Sequence, residues 1–306
     1  YAVLEGAPAL VMAVNRYAQA KIEPAAERWQ LSSVGFEDRA ELSSAELQSA
    51  EAAESAGITG LVRAVLSALG DPLLPPGAAL HTDTRDFYSQ NGTSQKLGIG
   101  SSAAVCTAAS AAIAEFLDQP FGESVPLNAH RLLQGRAGSG LDVAAACRGG
   151  LIRFQNGQST AATWPEALHY RYFWVGRAAK TSAHLARFTD WRASADTSTL
   201  DALCQASEAL FEVPDLAHLE EYVGRLKAMD QTARLGIFSD AHDQLRALAN
   251  RAQVVYKPCG AGGGDIGIAV SNDPTHLEEL NALATRDSFL TLDLEIAAHG
   301  VHRSRS

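Results

Sequence analysis

Lys96-Leu97-Gly98-Ile99-Gly100-Ser101-Ser102-Ala103-Ala104-Val105 (KLGIGSSAAV) lies about one third of the way along a chain of 306 residues. It has the small residues of a loop that cradles phosphate. It lacks the common G-x-x-x-x-G-K-[ST] spacing, because no Lys follows the second Gly. Gly98 and Gly100 let the backbone turn tightly and present its N–H groups. Ser101 or Ser102 is placed to cap a helix predicted over 102–117, which Asp118-Gln119-Pro120 ends. The first turn of such a helix offers unpaired donors and the positive end of the helix dipole. Two serine hydroxyls add groups that can reach phosphate oxygens or a metal. Taken alone, the stretch is also what a plain capped helix start looks like.

Two further small-residue segments belong beside it. Gly138-Ser139-Gly140-Leu141-Asp142-Val143-Ala144-Ala145-Ala146 sets one carboxylate in an apolar run. Asp142 is either a helix-start residue or a group held in a cleft, acting as general base or stabilising charge. Lys257-Pro258-Cys259-Gly260-Ala261-Gly262-Gly263-Gly264-Asp265-Ile266-Gly267 places five glycines between strand-like runs at 254–256 and 266–270. Each glycine raises the entropy lost on folding, so this density suits a loop lying flat against a ligand or another loop. A mobile surface loop is the other reading.

Outward from these segments, 1–22 is apolar and β-branched around Gly6-Ala7-Pro8 and predicts hairpin strands. Residues 41–57 are acidic and rich in Ser and Ala, as in a solvated loop or short helix. Ile58, Leu61, Val62, Val65, Leu66 and Leu69 have helical spacing, and Gly70-Asp71-Pro72 stops that helix. Strands are predicted at 78–84, 151–154 and 170–175, with a polar loop at 86–93. Helices are predicted at 199–211, 216–235 and 241–250, and a helix-and-strand unit at 274–292. Strands and helices mix without regular alternation and without internal repeats, which favours α+β over a doubly wound parallel sheet. Apolar positions in 199–211 and 216–235 are expected in the core.

Composition narrows the function classes. The chain is 46% hydrophobic, enough for one large or two moderate domains. A net charge of −10 argues against nonspecific nucleic-acid binding and leaves room for a local basic pocket. No apolar run approaches the roughly 18 residues of a membrane span, and no secretory leader pattern opens the chain. Cys106, Cys147, Cys204 and Cys259 are widely spaced, with no C-x-x-C pair, so a reduced cytoplasmic protein is expected. The nine histidines show no metal-binding spacing and are expected as scattered surface or core residues.

Taken in order, the three segments resemble the motifs of the GHMP kinase superfamily over nearly the whole length. Tyr1-Ala2-Val3-Leu4-Glu5-Gly6-Ala7-Pro8 is similar to the tail of the first motif, KLGIGSSAAV to the phosphate loop, GSGLDVAAA to the segment with the catalytic Asp, and KPCGAGGGDIG to the third motif. Within the superfamily the chain looks most like the phosphomevalonate kinases. Asp265 in the glycine loop carries that likeness, as does Trp174-Val175-Gly176-Arg177-Ala178-Ala179-Lys180-Thr181-Ser182. Cys259 stands where many relatives have Ser, and Ile266 where that branch often has Cys.

The resemblance implies a two-lobed α+β fold, with an N-terminal lobe at 1–165, a ferredoxin-like C-terminal lobe at 166–306 and the site in the cleft between them. It implies ATP-dependent phosphorylation of 5-phosphomevalonate to 5-diphosphomevalonate, in the mevalonate route to isoprenoids. Lys96, Gly98, Gly100, Ser101, Ser102, Ala103 and Ala104 would hold the nucleotide, Ser101 and Ser102 would help place Mg²⁺, and Asp142 would be catalytic. Arg136, Ser139, Gly140, Lys180, Thr181, Ser182, Gly260, Ala261, Gly262 and Gly263 would face the acceptor. Arg148 is a further candidate cation beside these segments. A Pro-Gly-Lys segment upstream of Tyr1, whose Lys assists transfer, is also implied, and a homodimer is compatible. The alternatives are mevalonate kinase or another small-molecule kinase of the superfamily, and a catalytically silent sensor.

Overall fold

The computed structural model describes residues 1–89, 95–135, 138–176, 181–194 and 197–303, with backbone alone at 181–183, 185 and 194. After a 3-10 turn at Ala2–Glu5 come β1 (Ala9–Met12), β2 (Gln19–Ala25), β3 (Trp29–Val34) and β4 (Asp38–Leu42). Then follow α1 (Ser44–Leu47), α2 (Ala50–Glu54), α3 (Gly57–Ala68) and β5 (Gly77–Asp83). The middle of the chain holds α4 (Ser101–Phe116), α5 (Ser124–Leu133), α6 (Leu141–Arg148), β6 (Leu151–Gln155) and β7 (Gln158–Ala162). Next are β8 (His169–Trp174), α7 (Thr181–Ser194), α8 (Ser198–Glu212), α9 (Leu216–Ala233) and α10 (Asp240–Arg251). The last elements are β9 (Val255–Pro258), β10 (Ile266–Ser271), α11 (Pro274–Arg286) and β11 (Leu290–Leu292).

These elements form two compact units, each discontinuous in sequence. Unit 1 comprises Tyr1–Leu10, Thr93–Ile99 and Arg153–Glu295; unit 2 comprises Val11–Gly92, Gly100–Ile152 and Ile296–Ser306. No single cut of the chain, at 165 or elsewhere, separates them. The chain passes from one unit to the other between Ile99 and Gly100, in the middle of KLGIGSSAAV.

Unit 2 is built on a sheet of order β2-β5-β3-β4, with β3 and β5 parallel and the other pairs antiparallel. Alternation in β3 buries Trp29, Leu31 and Ser33 and leaves Gln30 exposed, so one face of the sheet is apolar. Onto that face pack Ile58, Val62, Val65 and Leu66 of α3 and Val105, Ala109 and Ile113 of α4. Small residues along α4 let it lie close to α5, α6 and β2. Pro24 is tolerated in β2 because β2 is an edge strand, where a missing N–H leaves no ladder partner unpaired.

Unit 1 carries an antiparallel sheet of order β11-β8-β10-β9. Phe173, Val175, Tyr256 and Ala269 pack there with Leu245, Leu248 and Ala249 of α10 and Leu277, Leu280 and Ala284 of α11. A second cluster joins Leu200 and Leu203 of α8 to Val223, Leu226 and Met229 of α9, so the apolar stripes of both helices lie in the core as expected. A third sheet has the order β1-β6-β7.

The N-terminal hairpin expected at 1–22 does not form. Its apolar residues are consecutive rather than alternating, so the first turn coils as a 3-10 segment closed by Gly6 at φ 86°, and Ala2 and Ala7 are buried. β1 then pairs with β6, far along the chain. β2 overlaps the strands expected at 1–22 only at 19–22, and β3, β4, β7, α5 and α7 had no counterpart among the predicted elements. Residues 90–94 of the expected 86–93 loop lie outside the described residues. The four cysteines are free, and no helix among the described residues is long and apolar enough to cross a membrane.

Candidate functional site

Helix α4 begins differently from the serine-capped start read from the sequence. Its N-cap is Gly100, at φ 88° and ψ 24°, and no side chain accepts a hydrogen bond from the first turn. A capping serine must sit in extended backbone one position before the helix. Ser101 and Ser102 come too late and lie inside the first turn. The first helical bond runs from the Ala104 N–H to the Gly100 carbonyl, 3.1 Å. The N–H groups of Ser101, Ser102 and Ala103 are therefore left without a side-chain cap, at the positive end of the dipole. Ser101 and Ala103 are buried, Ala104 is half-buried, and Ser102 is the exposed member of the serine pair.

Helix α6 repeats the arrangement. Gly140, at φ 84°, is its N-cap, again with no side-chain cap, and Ser139 Oγ accepts from the Leu141 N–H at 3.4 Å. Asp142 falls in the first turn, where a carboxylate favours the dipole. It keeps access to solvent, yet the protein packed around it strips hydration and pushes its carboxyl above the ordinary value of 3.8.

Helix α5 ties these two helix starts together within unit 2. Ser102 Oγ is 3.2 Å from His130 Nε2, and the Gln134 side chain approaches the same nitrogen at 3.4 Å. Leu127 packs so closely on Gly140 that a Cβ there would lie 2.4 Å from its Cδ1. His130 is buried, and desolvation lowers its pKa from the ordinary 6.5, favouring the neutral ring. Neither His130 nor Leu127 was among the expected site residues. The sequence offered only an unremarked helix and one of nine scattered histidines.

In unit 1 the third glycine-rich segment forms the connection between β9 and β10, as expected. It is held from several sides. Gly263 N–H donates to Ile237 O at 2.8 Å, Ala261 O accepts from the Tyr1 hydroxyl at 2.8 Å, and Asp265 O accepts from Val175 N–H at 3.0 Å. Ile237 and Phe238 are themselves fixed by the buried carboxylate of Asp230, which accepts from their N–H groups at 2.9 and 2.8 Å. Gly262 lies against Ile237 and Gly263 against His184; Gly260 is exposed. Asp265, at φ 59°, abuts Gly98, so the loop meets the first half of KLGIGSSAAV inside unit 1.

The expected cations fare less evenly. Lys96 is exposed, and Arg148 pairs with Glu123 at 3.4 Å. Arg136 and Lys180 lie outside the described residues. Thr181 and Ser182 open helix α7, and their side chains also lie outside the description.

With two glycine-started helices tied through α5 in unit 2, and a glycine loop packed on Gly98 in unit 1, the relatives can be compared. Residues 58–150, from α3 through α6, match the family described as GHMP kinases N terminal domain. That span is a GHMP kinase N-terminal domain. The chain is 30% identical over 253 residues to a phosphomevalonate kinase of Streptomyces sp. (strain CL190), covering 67% of this chain and 64% of that one. The match thus spans just under two thirds of the curated relative's length. Among solved structures, the Streptococcus pneumoniae phosphomevalonate kinase in complex with phosphomevalonate and AMPPNP superposes with a TM-score of 0.75. It is 19% identical, with 97% of this chain and 95% of that one covered. A mevalonate kinase from Methanococcus jannaschii gives a TM-score of 0.71 at 14% identity, covering 96% and 93%. The chain has the α+β fold of these GHMP kinases, and the α+β expectation holds.

Proposed function

We propose that this GHMP kinase homologue transfers the γ-phosphoryl group of ATP to the phosphate of 5-phosphomevalonate, giving 5-diphosphomevalonate and ADP. The observation that carries the proposal is the 30% identity to a phosphomevalonate kinase. Phosphoryl transfer asks a protein mainly for positioning and for stabilisation of charge. The N–H groups of Ser101, Ser102 and Ala103, which no side chain caps, suit nucleotide phosphate oxygens, and Gly98 and Gly100 let the backbone approach them. Lys96 is close in sequence and open to solvent.

Asp142 would face the acceptor. A phosphate monoester has a second pKa of about 6 and is largely ionised near neutral pH. Little proton remains for Asp142 to remove, so its part is orientation and electrostatics. Ser139 and Gly140 lead into the same helix start and would border the acceptor. Gly260, Ala261, Gly262 and Gly263 would shape the site beside the phosphates, with Arg136, Lys180, Thr181 and Ser182 as the proposed acceptor contacts.

Mg²⁺ in such chemistry is held mostly by phosphate oxygens and waters. Ser102, exposed at the helix start with its hydroxyl beside His130, is the proposed single protein ligand, whereas Ser101 is buried. The ion would neutralise charge on the phosphates. Mevalonate kinase is the second reading, favoured by the comparable fit of that fold. A coupled ADP-release assay with 5-phosphomevalonate and mevalonate separates the two. We expect turnover of 5-phosphomevalonate; turnover of mevalonate alone overturns the proposal.

A further inference from the structure

A hydrogen-bonded pair, neither member of which was assigned above to binding or transfer, holds the third glycine-rich loop at Gly264. His242, on α10, is fully buried. Its Nδ1 is 2.8 Å from the hydroxyl of Tyr256 on β9, and its Nε2 is 3.0 Å from the carbonyl of Gly264. A carbonyl can only accept, so Nε2 carries the proton. With that tautomer, Nδ1 is the acceptor for the Tyr256 hydroxyl. The tautomer is set by the loop itself.

Gly264 is followed by Asp265, whose left-handed backbone at φ 59° turns its side chain onto Gly98. The Tyr256 hydroxyl is in turn seated under Gly267, where a Cβ would fall 2.0 Å from it. Helix α10, strand β9, the Gly264–Asp265 corner and Gly98 thus form one contiguous set of contacts inside unit 1. We infer that His242 is a positioning residue: through Gly264 it fixes Asp265, and through Asp265 it fixes the course of the chain at Gly98, in the first half of the proposed phosphate loop. Its structural part stands on contacts alone; its kinetic consequence rests on the proposed nucleotide role of residues 96–104.

The test uses the full chain labelled with ¹⁵N-glycine, which reads Gly98 and the 262–264 glycines among 25 in all. In His242→Leu we expect the Gly98, Gly262, Gly263 and Gly264 resonances to shift or broaden together. Gly60 in α3 and Gly157 between β6 and β7 should stay in place. His242→Gln keeps an N–H donor for the Gly264 carbonyl and should restore most of the wild-type pattern. Tyr256→Phe removes only the hydroxyl and should give a smaller version of the same pattern; it also carries the test if the leucine variant fails to fold. In the kinase assay, KM for ATP should rise about tenfold in His242→Leu, with kcat changed less, a split that corresponds to roughly 1.4 kcal/mol of binding. An unmoved Gly98 resonance, equal perturbation of all glycines, or an unchanged KM for ATP overturns the inference. Absence of turnover in the wild type would instead sink the proposed function, and the resonances would still decide the role of His242.

Discussion

At Gly98 a Cβ would fall 1.9 Å from Cγ of Asp265, whereas at Gly100, two residues on, it would meet nothing within 4 Å. Both have positive φ, 72° and 88°. Gly98 is glycine because the protein itself fills the space beside it. At Gly100 the space is open, and the backbone turn serves to start α4 without a capping side chain. Packed glycine organises the loop, and open glycine leaves room for a ligand. The same contrast separates the third motif, pressed on Ile237 and His184, from the start of α4, whose first N–H groups no side chain caps.

Alanine at the two positions should therefore fail in different ways. Gly98→Ala is expected to have the largest effect, a loss of about 3 kcal/mol or more in denaturant unfolding together with loss of activity, because overlap with Asp265 adds to left-handed strain. Intact stability in that variant would break the contrast.

Asp142→Asn should act on chemistry alone, lowering kcat by about 100-fold, near 2.7 kcal/mol of barrier. Its effect on stability has a sign set by desolvation. The folded-state pKa lies above the ordinary 3.8, so across that window the folded protein holds more protons than the unfolded chain. Stability falls as pH rises through it, and ionised Asp142 opposes folding at neutral pH. The asparagine variant should melt no lower than wild type; a lower melting temperature would make Asp142 a structural residue.

Gly100→Ala is expected to cost only about 1–2 kcal/mol of stability, from backbone strain. It should nevertheless raise KM for ATP about tenfold, because the new methyl occupies the ligand's side of the turn. Equal effects of the two alanines on stability would erase the distinction. The smallest effect concerns His130. Burial lowers its pKa from 6.5, so its contribution is fully present above that pH and is lost as pH falls and the unfolded chain takes up the proton first. Between pH 7.5 and 5.5, wild type should lose more stability than His130→Gln, by about 1 kcal/mol or less.

Much of this contrast was legible in the sequence. KLGIGSSAAV, GSGLDVAAA and KPCGAGGGDIG all sit at element junctions, and helices α3, α4, α8, α9, α10 and α11 fall within a few residues of their periodic patterns. Cap geometry was not legible, since whether Gly100 or a serine ends the helix depends on one backbone dihedral and not on composition. The first 22 residues misled because a consecutive apolar run fits either a buried coil or a hairpin. His130 and His242 were invisible for a related reason: each matters through partners about 14 to 28 positions away, and no local pattern encodes that pairing. The discontinuity of each unit was hidden likewise, because each is assembled from segments far apart in the chain.

The proposed reaction makes a new P–O–P linkage on the acceptor, and ³¹P NMR of the reaction mixture observes it directly. With ATP, Mg²⁺ and 5-phosphomevalonate, the monoester signal should be lost and two mutually coupled diphosphate resonances that are not those of ADP should grow. Persistence of the monoester signal while mevalonate, supplied in its place, gains a phosphate would contradict it.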